Sequence, residues 1–125
     1  MIKGIGTDIV AVGRIGEMIG KYGDHFLRKI FTDAEIDYCN ARADPAAHFA
    51  GRWAAKEAFY KALPASCQRV SSWKSVQVTA PPGGRPVIEV GDARLRERIA
   101  DEAITTFHLS ISHEKEYCVG FVTAE

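Results

Sequence analysis

Charge of one sign is the first thing missing: 16 basic and 16 acidic residues cancel. There is no global field to attract nucleic acid, so any electrostatic recognition must be local. Cysteine is sparse. Cys39, Cys67 and Cys118 lie far apart, without the close pairs that zinc ribbons and redox motifs need, and they read as reduced core or surface thiols. Long apolar runs are also absent, none approaching the ~20 residues of a membrane span. The N-terminus has no basic segment followed by an apolar run and a small-residue cleavage site. The expectation is a soluble, cytoplasmic protein with neither membrane nor nucleic-acid partner. The rest is ordinary globular composition, 46% hydrophobic and 26% charged, which argues against disorder. A chain of 125 residues suits one domain over 1–125 with a single core, and no repeat or low-complexity stretch divides it.

The chain is organised around residues 49–63, FAGRWAAKEAFYKAL. At 100° per residue Phe49, Trp53 and Tyr60 share one sector of a helix, and Ala54, Ala58 and Ala62 form a small-residue stripe elsewhere. Glu57 and Lys61 fall between those sectors. Four residues apart, they stack on one face whose two flanks are both expected to be buried. Taken alone the pair equally describes a solvated ion pair worth roughly 0.2–0.5 kcal/mol. Arg52 and Lys56 form a second charged pair on another side.

Before this helix, Met1 to Val12 reads as a first strand whose end or following turn presents Asp8; the alternative is that Asp8 caps the next helix. Gly4 and Gly6 allow close backbone approach. Val12, Ile15, Ile19 and Tyr22 predict a short amphipathic helix over 12–22, with Arg14 and Lys21 on its other face and Arg28 and Lys29 soon after, partly offset by Glu17 and Asp24. Thr32-Asp-Ala-Glu35 is a capping box opening a helix to about Arg42. Asp44-Pro45 breaks it, and the central helix, Ala46 through Leu63, stops at Pro64.

Residues 64–73 read as a loop. Val76 and Val78, then Val87, Ile88 and Val90, flank Pro81-Pro82-Gly83-Gly84-Arg85-Pro86, which predicts two strands joined by a turn. Asp92 caps a helix to about Ala103 with Leu95 and Ile99 inward. Phe107, Leu109 and Ile111 alternate with His108, Ser110 and Ser112, a strand with one buried face. His113-Glu114-Lys115-Glu116 then turns into a returning strand with Tyr117, Val119 and Phe121.

Three stretches, GIGTDIV at 4–10, FAGRWAAKEAFYKA at 49–62 and SISHEKEY at 110–117, occur in order. Together they resemble the holo-acyl-carrier-protein synthase family of 4′-phosphopantetheinyl transferases, which shows a Gly-x-Asp, a Trp/Phe-x-x-Lys-Glu-x-x-x-Lys helix and a Ser-x-Ser/Thr-His turn. The resemblance implies an α+β fold with an antiparallel sheet packed against a long central helix. It also implies three associated chains with each active site between neighbours.

Further, the resemblance implies transfer of phosphopantetheine from coenzyme A to a serine of apo acyl carrier protein or a synthase's carrier domain, in fatty-acid or polyketide synthesis. Asp8 and Glu57 match two carboxylates for Mg²⁺, with Mn²⁺ also open, a cation class suited to oxygen ligands and phosphates. Lys61 would face the pyrophosphate. Asp8 and Glu57, the latter through water, stand beside a metal-bound water as candidate bases. Arg52, His113 and Gly84-Arg85-Pro86 match coenzyme-binding positions, and Arg14, Lys21 and Arg28 lie on the segment that docks the carrier. Many members have a glycine-containing loop after the helix, where this chain has LPASCQRVSSW. Two other classes stand against this reading: a non-catalytic carrier-binding module and a metal-dependent nucleotide phosphohydrolase.

Overall fold

The computed structural model describes all residues from Met1 to Glu125. Strand β1 (Gly4–Ala11) leads into α1 (Val12–Tyr22), α2 (Asp24–Ile30), α3 (Asp33–Asn40) and the long α4 (Pro45–Ala62). A short α5 (Ala65–Gln68) and a 3-10 turn (Trp73–Ser75) precede β2 (Val76–Thr79) and β3 (Val87–Val90), followed by α6 (Ala93–Asp101), β4 (Phe107–His113) and β5 (Tyr117–Ala124). The fold is α+β. One antiparallel sheet has the order β1-β5-β4, and β2 and β3 form a separate hairpin.

Local chemistry accounts for most boundaries. Gly23, at φ 55°, supplies the left-handed residue that separates α1 from α2. The predicted capping box is present, with the Thr32 hydroxyl accepting from the Glu35 amide and the Glu35 carboxylate accepting from the Thr32 amide. Asp44 caps α4 with Pro45 in its first turn, and Asp92 caps α6. Helix α2 escapes prediction because DHFLRKI is too short to display a period. The segment expected as a plain loop after Leu63 holds α5, started by Pro64, and the 3-10 turn closed by Ser72 and Ser75.

Helix α4 lies directly on the sheet. A Cβ built on Gly120 would come 2.5 Å from the Ala54 carbonyl oxygen. Those on Gly4 and Gly6 would overlap the carbonyl oxygens of Ala62 and Ala58. The alanine stripe therefore meets three glycines of β1 and β5, one per helical turn. On either side of this contact sit two cores. Ile15, Phe26, Phe31 and Phe49 pack with the first half of α4, and Phe59, Leu63, Leu95, Ile99 and Val122 with the second.

Arg52 and Lys56, the second charged pair of the helix, are both buried, at 6% and 3% exposure. The Lys56 ammonium lies 2.7 Å from Glu35 Oε1 and donates to the carbonyls of Ile30, Trp73 and Val76, while Glu35 Oε2 accepts from the Val78 amide. Thus α2, α3, the 3-10 turn and β2 are tied to α4 at one point. All three cysteines are free and buried; burial raises each thiol, Cys39 to about 11, so they stay protonated at neutral pH. On β4 the inward residues Phe107, Leu109 and Ile111 are only half-buried, since the sheet edge extends beyond α4.

Gly6→Ala should cost about 3 kcal/mol in urea unfolding, the upper range for overpacking. Gly20→Ala in α1, where an added Cβ meets nothing within 4 Å, should stabilise by up to ~1 kcal/mol. Lys56→Met, which strands the buried Glu35 carboxylate, should cost ~3–5 kcal/mol by the same measurement.

Candidate active site

Inward residues of β1 alternate, so Gly4, Gly6 and then Asp8 face α4 while Ile5, Thr7 and Ile9 face away. Asp8 is mid-strand, opposite Gly120; it neither ends the strand nor caps α1, whose N-cap is Ala11 with no side-chain bond. The close seating of α4 brings Asp8 to the flank that carries Glu57 and Lys61. Lys61 Nζ lies 3.1 Å from Asp8 Oδ1 and donates to the Thr7 carbonyl at 3.1 Å. The local ion pair with Glu57 is therefore not formed, because Lys61 reaches across to the strand.

Glu57 is left with no hydrogen bond and no ion pair of its own. Burial, and then the negative charge of Asp8, hold its carboxyl above the ordinary carboxylate range, while Lys61 and Arg14 pull the other way. Two neighbouring carboxylates, one without a partner, are a hard oxygen donor set that would suit a divalent cation such as Mg²⁺, whose shell water and substrate phosphates would complete. No third His, Cys, Asp or Glu gathers there. A softer, all-protein cage is not what these residues make.

Beside Glu57 opens a cavity of about 250 Å³ lined by Lys56, Phe59, Tyr60, Ser71, Ser72, Trp73 and Val76. Tyr60 shares the sector of Phe49 and Trp53 but is exposed at 44%. At Trp53 that sector is covered by Phe26 and Trp73; one turn and more further on, the chain recedes and leaves the cavity.

Arg52 stands nine residues before Lys61, which at 100° per residue is the opposite side of α4 and ~13.5 Å along its axis. Its guanidinium carbon sits 4.1 Å from the centroid of the Tyr38 ring, and Arg42 lies 4.2 Å from the same centroid. The Arg52 Nε is buried without a partner. His48 meets the Tyr38 ring edge-on. Burial first, then Arg52, Arg42 and His113, lower the His48 imidazole, with Asp44 opposing.

His113, at the exposed end of β4, acts on His48 as Arg52 does, and no hydrogen bond or ion pair joins either of them to Glu57. Gly84, Arg85 and Pro86 occupy the exposed turn between β2 and β3, closed by the Gly84 amide on the Pro81 carbonyl; no bond connects them to either cluster. Arg14 projects from α1 with its guanidinium 6.0 Å above Trp53, on the Glu57 side. Lys21, seven residues on, shares its stripe. Arg28 lies instead in a cleft with Asp24, Asp33 and Asp37, so its surface is mixed in sign.

Tyr38, Arg42 and His48 were not among the expected site residues, nor were Ser71 and Ser72. The contacts of Tyr38 and Arg42 join α3 to α4 through space and leave no periodic signal. Lys56 did leave one: on the wheel it falls within 60° of Phe49 and Trp53, in the buried sector.

The family model described as the 4′-phosphopantetheinyl transferase superfamily matches residues 4–122. A holo-[acyl-carrier-protein] synthase of Halothermothrix orenii is 40% identical, the alignment covering 100% of this chain and 98% of that relative. Among solved structures, a holo-[acyl-carrier-protein] synthase from Neisseria meningitidis superposes with TM-score 0.88 at 32% identity, covering 100% of this chain and 99% of the other. One from Bacillus anthracis, in complex with CoA (3′,5′-ADP), gives 0.78 at 31% identity, covering 99% and 96%.

In EDTA, Glu57's own contribution to stability should fall as pH rises above about 4, the ordinary carboxyl value. Across the window up to Glu57's raised pKa the folded state retains a proton that the unfolded state has released. Glu57→Gln has no such proton to lose. It should match the parent near pH 4 and be the more stable protein at neutral pH. Urea unfolding across that range checks this, and a gap that widens toward acid contradicts it.

Proposed function

The chain belongs to the 4′-phosphopantetheinyl transferase superfamily, in its holo-[acyl-carrier-protein] synthase branch, and from that premise we propose a divalent-metal-dependent transfer at Asp8, Glu57 and Lys61. The substrates are coenzyme A and an apo acyl carrier protein or a synthase's carrier domain. The products are the holo-carrier and adenosine 3′,5′-bisphosphate. The whole of 1–125 is one transferase domain, cytoplasmic and serving fatty-acid or polyketide synthesis. The observation that carries the reading is the Glu57 carboxylate, without a partner of its own and near enough to Asp8 to feel its charge, with Lys61 bridging to the strand.

Asp8 and Glu57 hold Mg²⁺ or Mn²⁺, which when bound supplies Lewis-acid polarisation of the pyrophosphate. The carrier's serine oxygen forms a bond to the pantetheine-side phosphorus while the bond from that phosphorus to the bridging oxygen breaks. Negative charge grows on the leaving adenosine phosphate. Lys61, already beside Asp8, faces that charge with its ammonium and can return a proton to the leaving oxygen. The serine proton departs toward the carboxylate side, where Glu57, directly or through water, and Asp8 are the acceptors in this chain. With little covalent work left to the protein, positioning and electrostatics supply most of the rate.

The cavity lined by Tyr60, Ser71, Ser72 and Trp73 extends from Glu57 and accommodates part of the coenzyme. Ser71 and Ser72 stand where many relatives have a glycine-containing loop. Arg52 and His113 contact coenzyme phosphate, and Gly84-Arg85-Pro86 lies toward the adenine end. Arg14 and Lys21 form the carrier-docking stripe, with Arg28 at its margin; such charges mainly raise the on-rate and are screened by salt.

Arg52 and Lys61 face opposite sides of α4, so they meet one coenzyme only if two chains share the site. The outer face of the sheet supplies a surface for that association, with Ile5 and Ile9 at 61% and 65% exposure and Tyr117 and Phe121 on the adjoining strand. A homotrimer with sites between subunits follows from this reading.

Intact-mass analysis of an apo acyl carrier protein incubated with this protein, coenzyme A and Mg²⁺ should show the addition of one phosphopantetheine, lost in EDTA. Glu57→Ala should remain folded and lose at least ~100-fold in turnover, and Lys61→Ala roughly 10²–10³-fold. Coenzyme A breakdown without any carrier would point to a phosphohydrolase, and a fully active Glu57→Ala protein would remove the assignment.

A further inference from the structure

We propose that Tyr38 is a positioning residue: its ring holds the guanidiniums of Arg42 and Arg52 so that their N–H edges stay free for the 3′-phosphate monoester of the coenzyme. The inference rests on the transferase reading, which supplies the ligand. It rests otherwise on geometry. Both guanidinium carbons lie about 4 Å from one ring centroid, at 4.2 and 4.1 Å, a separation that places each over a face of the ring. One ring therefore holds both guanidiniums.

Arginines are usually held by carboxylates, which neutralise the charge and consume the forked donors. Here neither arginine has an ion-pair partner; the three salt bridges of the protein involve Lys56, Lys61 and His108. An aromatic face attracts the cation through its quadrupole and accepts no in-plane hydrogen bond. The donors remain available.

One of them shows the consequence. Arg52 is 94% buried, since 6% remains exposed, yet its Nε has no partner. Buried polar groups left unsatisfied in a native fold call for a ligand or another explanation. The surroundings are mixed in charge: Arg42 and Arg52 lie together at Tyr38, both act on His48, and Asp44 opposes them there. Two guanidiniums gathered on one ring with no carboxylate in ion-pair contact cost free energy that an anion would return.

The identity of that anion follows from chemistry. Coenzyme A carries a pyrophosphate and, separately, a 3′-phosphate monoester on the ribose. The pyrophosphate belongs at Asp8, Glu57 and Lys61. Arg52 points away from that cluster on its own helix, so it serves a coenzyme seated on a neighbouring copy, and the monoester is the group that remains to be met. A planar guanidinium pair fits its three oxygens.

The experiment compares coenzyme A with 3′-dephospho-coenzyme A, by calorimetric binding and by transfer to an apo carrier protein. Parent protein should bind coenzyme A the more tightly. Tyr38→Leu should weaken coenzyme A binding about 30-fold, the size of a desolvated cation–π contact, leave dephospho-coenzyme A within twofold, and change kcat little. Tyr38→Phe should resemble the parent with both. Arg42→Ala, at an exposed position, should also narrow the preference and keeps the question answerable if Tyr38→Leu fails to fold. A Tyr38→Leu protein that is folded and weakens both coenzymes equally, or neither, overturns the inference, as does a parent that binds both alike. Absence of transfer from either coenzyme would instead remove the transferase reading, while the binding comparison still decides the role of Tyr38.

Discussion

The seating of α4 on the sheet is the contact on which the rest of the structure depends. Three alanine carbonyls, one per turn, lie against Gly4, Gly6 and Gly120 with no room for a side chain. Backbone meets backbone, and the interaxial distance is therefore set by peptide atoms alone. Asp8 is the next inward residue of β1 after Gly6. A methyl group beneath the helix would lift it and carry Glu57 and Lys61 away from that carboxylate. The chemistry on the flank of α4 is thus a consequence of what is missing under it, and the glycine pair of β1 serves helix packing.

Lys56 fixes the helix from the other side. Its ammonium draws Glu35 and the carbonyls of Ile30, Trp73 and Val76 to one buried point. Trp73 and Val76 also line the cavity beside Glu57, so the wall of that cavity and the unpartnered carboxylate are positioned by adjacent residues, 56 and 57. A buried ion pair contributes little net stability against a well-packed apolar substitute, and its best-attested use is in specifying one arrangement. Here the arrangement specified includes the site.

Much of this was legible in the sequence, and the illegible parts share a cause. The capping box at Thr32, the cap at Asp92, the central helix with its alanine stripe, the two terminal strands and the hairpin at Gly83-Gly84 are written in local chemistry that a short window contains. Asp8, Glu57 and Lys61 stood out because their types and order match a family. Their pairing did not, since spacing of four suggests Glu57 with Lys61, and only the strand crossing beneath the helix offers Lys61 a better partner in Asp8. Lys56 was readable from its place on the wheel but carries a charge, and charge argues for solvent unless a buried carboxylate is known to wait there. The contact of Tyr38 with Arg42 and Arg52, the recession of the chain at Tyr60, and the short α2 and α5 depend on segments meeting in space, which no periodicity records.

Placing Arg52 and Lys61 on opposite sides of one helix has a genetic corollary. In a site shared between chains, each copy lends one side to a neighbour and receives the other in return. A variant damaged at Arg52 and another damaged at Lys61 would each be inert as a pure assembly. Co-expressed in one cell, they would form mixed assemblies in which some sites draw their intact Arg52 from one allele and their intact Lys61 from the other. Two recessive lesions in the same gene would then complement.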